Sequence, residues 1–138
     1  MDTNTISIAQ TPTGAPSFAS QVLSLVNKER AKAGLPAYAT TQPLSTGANA
    51  RAKELTRTFS HTRPNGSSFF TALRQYGAPF TAAGENIAYG QQTPQAVVTA
   101  WMGSPGHRRN ILSPRFKKIG IGVAQKGGRY YWDQLFTN

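Results

Sequence analysis

The sequence predicts an α+β domain in which helices are layered on a sheet. Two observations carry this: apolar residues recur at helical spacing through the first two thirds, and the last third alternates apolar residues with glycine before an aromatic run, the pattern of a closing β-hairpin. A length of 138 residues suits one contiguous core, so a single domain is expected.

Residues 1–16 (MDTNTISIAQTPTGAP) are polar and broken by Pro12, Gly14 and Pro16, and read as a flexible leader or linker; the folded domain is expected over 17–138. Phe18, Val22, Leu25 and Val26 then mark a first helix, capped by Ser17 and ended by Gly34 in a left-handed turn. Asn27, Lys28 and Arg30 are expected mostly on its outer side. Leu44, Ala48, Ala52, Leu55 and Phe59 repeat the helical pattern from Pro43 onward, and the small residues among them let a neighbouring layer come close.

The stretch from Ser60 to Gly66 cannot continue that helix, because Pro64 lacks an amide donor and Asn65-Gly66 favours positive φ. It reads as a loop carrying His61. A short helix is expected from Ser67 to Tyr76, with Phe69 and Leu73 on one face and Gly77 as its stop. Gly84 to Gly90 reads as a short strand or extended stretch. Thr93-Pro94 is a helix start, a capping residue followed by proline at the first helical position, and Val97, Val98 and Trp101 supply that helix's buried face.

Ser104-Pro105 opens a further short turn bearing His107 and Asn110. In the final hairpin, Ile119, Ile121 and Val123 alternate with Gly120, Gly122 and Ala124, and Gly127-Gly128 leads into the run from Tyr130 to Phe136. Tyr130, Tyr131, Trp132 and Phe136 are expected in the core rather than on a stacking platform. Gly120 and Gly122 are expected to permit close contact between layers.

Fifteen Lys and Arg against five Asp and Glu give a formal charge of +10, so the surface carries a positive field toward any polyanion. From Pro105 onward, Arg108, Arg109, Arg115, Lys117, Lys118, Lys126 and Arg129 are set against Asp133 alone. An anionic or amphiphilic ligand, a lipid or a cell-wall polymer, fits this balance; nucleic acid is not expected, because no groove-reading motif accompanies the charge. The absence of cysteine excludes a thiol nucleophile, a disulfide framework and a thiolate metal site. No apolar run approaches the roughly 20 residues of a membrane span. Met1 to Ser7 lacks the basic start and apolar stretch of a signal peptide, so any export signal is expected to have been removed.

His61 and His107 are the only histidines, and each stands in a breaker-rich segment rather than on an apolar helix face. Among the acidic residues, Asp2 falls in the leader, Glu29 and Glu54 on helices and Asp133 on the last strand, leaving Glu85 alone in a turn. Two readings stay open. The three side chains gather into a cleft, or each is locally satisfied, with the Glu85 carboxylate accepting backbone amides of its own turn. Two neutral imidazoles and a carboxylate would suit a divalent cation such as Zn2+ with an open position for water.

Several motifs occur together and in order: Leu25-Val26-Asn27-Lys28-Glu29-Arg30 with Gly34-Leu35, Phe59-Ser60-His61, Gly84-Glu85-Asn86-Ile87-Ala88, and the run from Ala100 through Trp101 and His107 to Leu112. On these the chain, from Phe18 to Phe136, resembles a bacterial domain of the CAP superfamily (cysteine-rich secretory, antigen 5, pathogenesis-related 1). The resemblance implies a three-layer α-β-α sandwich with a central antiparallel sheet, and a surface cleft at His61, Glu85 and His107. These three are the candidate catalytic and metal-binding residues, with Ser60, Asn86, Ser104, Arg108 and Asn110 as candidate ligand contacts. A second glutamate common in eukaryotic members maps to Ser104, so the carboxylate count departs from the fuller pattern.

The resemblance also implies a secreted or extracytoplasmic protein, expected as a monomer. Members include secreted proteins linked to sterol or lipid binding, defence and interaction with other cells. Two functions follow as expectations: a cleft binding a divalent metal or an envelope or lipid component, and alternatively a metal-dependent hydrolase acting at the cell envelope. Other enzyme classes find little support. Glycoside hydrolysis asks for two opposed carboxylates, no Gly-x-Ser-x-Gly elbow surrounds Ser60 or Ser104, and phosphate-loop and dinucleotide fingerprints are missing.

Overall fold

The computed structural model describes residues 16–138, so the expected leader lies almost wholly outside the described residues. Five helices and three strands follow in the order α1 (Phe18–Lys32), α2 (Gln42–Leu55), α3 (Thr71–Gln75), β1 (Ala83–Tyr89), α4 (Pro94–Met102), α5 (Pro105–Ile111), β2 (Lys118–Lys126) and β3 (Arg129–Thr137). The strands form one antiparallel sheet in the order β1-β3-β2, which places the last strand at the centre. Helices cover both faces, giving the three-layer α-β-α arrangement.

Local chemistry sets the helix starts. Ser17, Thr41 and Thr93 each accept a hydrogen bond from the amide three residues on, satisfying one of the donors a helix N-terminus leaves free. Beyond α1, Gly34 takes φ 74°, the expected left-handed turn.

Strand alternation sorts the core. One face carries Ala88, Ile119, Ile121, Trp132 and Phe136 against Val22, Val26, Val97, Val98, Trp101 and Ile111 of α1, α4 and α5. The other carries Leu135 against Leu44, Ala48 and Leu73 of α2 and α3. On this second face Gly120 and Gly122 let α2 lie directly on β2. A Cβ on Gly120 would meet the Leu44 carbonyl, and one on Gly122 the Ala48 carbonyl.

Five expectations are corrected. Arg30 is buried, not outward: it donates to the carbonyls of Pro36 at 2.7 Å, Ile111 at 2.8 Å and Ser113 at 2.9 Å, and lies over the Tyr38 ring. The end of α5 leaves carbonyls without helical partners, and a guanidinium satisfies them where a solvent-facing arginine could not. Asn27 is likewise half-buried, bracketing the Tyr38 backbone with its side-chain amide. Phe59 falls outside α2, which ends at Leu55, and its ring is 44% exposed.

The α3 helix is shorter than Ser67–Tyr76 because residues 67–69 close the preceding loop instead. The Arg63 amide donates to the Ser67 carbonyl, the Phe69 amide to the His61 carbonyl and the Ser67 amide to Asn65 Oδ1. Tyr131, finally, is half-buried and stacks on the exposed Tyr89 rather than entering the core that holds Trp132 and Phe136.

Candidate functional cleft

The register Glu85↔Leu135, Ile87↔Asp133, Tyr89↔Tyr131 puts Glu85 and Asp133 on the sheet face that α2 covers. Glu85 therefore stands in a strand, not in a turn, and its carboxylate bonds side chains from other elements rather than amides of its own segment. Arg51, in the third turn of α2, grips it from above: Nε donates to Glu85 Oε2 at 2.7 Å and Nη2 to Oε1 at 3.0 Å. Neither side chain has any exposed surface.

The same guanidinium donates from Nη2 to the Ser60 carbonyl at 2.7 Å and from Nη1 to Glu54 Oε1 at 2.9 Å. Glu54 in turn receives Arg63, whose Nη2 lies 2.8 Å from Oε2, and Arg63 continues to Thr71 and Gln75 around α3. The His61 loop is thus bolted between α2 and α3. From this loop His61 Nδ1 sits 2.8 Å from Glu85 Oε1, while 55% of its side chain remains exposed.

His107 arrives from the opposite side on α5. Its position follows from Asn86, a fully buried residue whose Nδ2 donates to the His107 carbonyl at 3.1 Å and to Gln134 Oε1 at 3.0 Å. Asn110 Nδ2 donates to Asn86 Oδ1 at 2.9 Å, closing a link from α5 to β1. Burial, and secondarily the charge of His61, hold the His107 imidazole below its ordinary pKa. Of the remaining candidates, Ser60 Oγ accepts the Thr62 amide, Ser104 precedes α5 half-buried, and Arg108 is exposed on α5.

Four residues went unseen in the sequence: Arg51, Glu54, Arg63 and Asp133. Asp133 is wholly buried, and its carboxyl oxygens have no N–H donor among the described residues. Burial pushes its pKa well above the carboxylate range, and the neighbouring Glu85 charge adds to the rise. For Glu85, burial acts upward, but hydrogen bonds from Asp133, His61 and Arg51 and the Arg51 charge outweigh it and keep the group ionised below its usual range. The signal for Asp133 lay in strand alternation, since it shares its face with Leu135.

Both Glu85 oxygens are consequently taken. Among the described residues no group of three His, Asp or Glu side chains is arranged to hold a metal ion. Glu85, one of the three residues read from the sequence as metal ligands, is bonded through both oxygens to Arg51 and through Oε1 to His61.

The family model of CAP, the cysteine-rich secretory protein family, matches residues 23–137. The chain belongs to the CAP family. It is 40% identical over 136 residues to YkwD of Bacillus subtilis (strain 168), an uncharacterized protein, covering 97% of this chain and 51% of YkwD. It is 33% identical over 118 residues to the uncharacterized membrane protein YlbC of the same strain, covering 84% of this chain and 33% of YlbC. The chain therefore spans about half and a third of the length of these curated relatives.

Among solved CAP structures, an extracellular protein containing an SCP domain from Bacillus anthracis str. Ames aligns at TM-score 0.79 and 31% identity, over 86% of this chain and 39% of that one. An outer surface protein from Borrelia burgdorferi aligns at TM-score 0.76 and 25% identity, over 83% of this chain and 87% of that one. In this CAP domain the family's helix-sheet-helix layering is what brings His61, Glu85 and Arg51 together from three separate elements. No helix among the described residues is long and apolar enough to cross a membrane.

Proposed function

We propose that this CAP domain is an extracytoplasmic binding module of the cell envelope whose cleft receives its ligand at His61 and His107. One observation carries the reading: His61 Nδ1 is held 2.8 Å from a buried carboxylate that Arg51 fixes from the other side. A neutral His61 donating from Nδ1 keeps the lone pair of Nε2 for the cleft. The bias of His107 toward its neutral form adds a second imidazole lone pair nearby. The extracellular and outer-surface descriptions of the two structural relatives support the location.

Such a pair suits Zn2+, with His61 and His107 as ligands and Glu85 as the outer partner that fixes the ring and its tautomer. Bound zinc would supply Lewis-acid polarisation of a ligand oxygen. The chain's own part is to orient the two rings and keep the carboxylate dry. Binding ranks ahead of hydrolysis because Glu54 and Glu85, the acids beside His61, are both committed to arginines and Asp133 is sealed beneath them.

Calorimetric titration of the metal-free protein with zinc chloride tests this. The expected result is heat that vanishes in His61→Ala and His107→Ala and weakens by roughly 10–100-fold in Glu85→Gln, the usual cost of losing an outer partner. A wild-type protein that gives no heat, or histidine variants that bind as tightly as wild type, would remove zinc from the proposal.

A further inference from the structure

We infer that an aromatic and cationic ledge beside His61, formed by Phe59, Tyr89, Tyr131 and Arg129, binds chains of an anionic polysaccharide. The inference rests on the envelope reading above and names the ligand class that this reading leaves open.

Phe59 at 44% and Tyr89 at 46% are the exposed large hydrophobic side chains of the described residues, and they stand side by side. Their rings meet edge to face at 4.7 Å, Tyr89 stacks on Tyr131 at 5.8 Å with 25° between planes, and the Arg129 guanidinium lies 5.2 Å over the Tyr89 ring. The rings come from three parts of the chain: the segment after α2, the end of β1 and the start of β3. Tyr89 and Tyr131 lie on the same sheet face as Glu85 and Asp133, and Phe59 precedes His61 by two residues. The ledge is therefore continuous with the cleft.

The surrounding charge is of one sign. Lys126, paired with Arg129 across the hairpin, reaches the Thr56 carbonyl at 3.5 Å, and the exposed Arg57 follows Thr56. The nearby acids are spent: Glu85 and Asp133 are buried, and Glu54 is bonded to Arg51 and Arg63. Aromatic faces carry partial negative charge and attract the C–H face of a sugar ring, while uncompensated cations attract its acidic groups.

A lipid surface fits less well. Insertion asks for a broad apolar face on an amphipathic element, whereas here one Phe and one Tyr are packed against each other. Single-stranded nucleic acid shares the stacking chemistry but not the envelope location.

Affinity electrophoresis in gels containing polygalacturonate, with neutral dextran as control, tests the ledge. Retardation is expected with polygalacturonate, falling about tenfold in affinity in Tyr89→Ala and in Arg129→Gln, while Lys28→Gln/Lys32→Gln on the exposed side of α1 keeps most of it. Arg129 is exposed, so Arg129→Gln remains decisive even if Tyr89→Ala folds poorly. Absence of retardation, affinity unchanged in Arg129→Gln, or an equal loss in the α1 variant would overturn the inference. Tighter binding of anionic phospholipid vesicles or of an oligothymidylate through the same residues would overturn it equally. Zinc titration keeps the two claims apart: a wild-type protein retarded by polygalacturonate but giving no zinc heat removes only the zinc reading, and one giving zinc heat without retardation removes only the ledge.

Discussion

Arg51 and Glu85 are joined by two hydrogen bonds, at 2.7 and 3.0 Å, and neither side chain touches solvent. This pair fixes α2 to β1 and sets the carboxylate against which His61 leans. Truncating Arg51 would leave that carboxylate buried without its arginine and the Ser60 carbonyl without its donor, while Glu54 would keep only Arg63. Arg51→Ala is expected to lose about 3–5 kcal/mol, the usual cost of breaking a buried pair from one side. Urea unfolding measures it, and a loss within experimental error would show that water replaces the guanidinium.

The contact of Gly122 with Ala48 is as demanding in steric terms. A single methyl at Gly122 would have to push α2 off the sheet, because what it meets is backbone and not a side chain that can rotate. Gly122→Ala is expected to destabilise by about 1–3 kcal/mol, toward the upper end. Gly106→Ala, where the added atom approaches only the far end of Arg109, serves as the control in the same thermal melts.

Asp133 gives the protein a stability that declines with rising pH. Its folded pKa lies well above the ordinary value of 3.8, so the folded state holds a proton the unfolded chain releases. That contribution is complete below about pH 3.8 and is lost as pH climbs toward the folded pKa. Glu85 and Glu54 run the other way, contributing above the ordinary 4.5 and losing it as pH falls through their depressed values. Asp133→Asn keeps a donor for Glu85 but has no proton to lose. Its stability relative to wild type should therefore grow as pH rises above about 4; a constant difference in thermal midpoint would contradict the raised pKa of the buried carboxyl.

His107 should titrate below the ordinary 6.5, observable as the chemical-shift midpoint of its ring proton. His61→Ala removes only the smaller, Coulombic cause, so the midpoint should move part of the way up and stop short of an unperturbed imidazole. Full return would mean that burial plays no part.

Wherever a feature depends on neighbours in sequence, it could be read from the sequence. Ser17 and Thr93 cap their helices, Gly127 and Gly128 take positive φ in the hairpin, and alternation along β2 foretells the close approach of α2. What could not be read is burial of charge. Arg30 and Arg51 occupy helix positions that local rules turn outward, and their partners lie 81 and 34 residues away. The contact of His61 with Glu85 was legible through family resemblance, and its supports were not, because a carboxylate's accessibility depends on which arginine reaches it.

The order β1-β3-β2 has a consequence for assembly. A chain halted before Arg129 would already contain every helix, both imidazoles, Arg51 and Glu85, yet the two outer strands would have nothing between them. Asp133, the buried carboxyl beneath Glu85, would be missing too. β2 finds its partner across the Gly127-Gly128 turn, but β1 must wait for one distant in sequence, so that side of the sheet is tied to slow, long-range pairing. The domain is keyed from its far end: its chemistry stays unassembled until the final nine-residue strand slides into place.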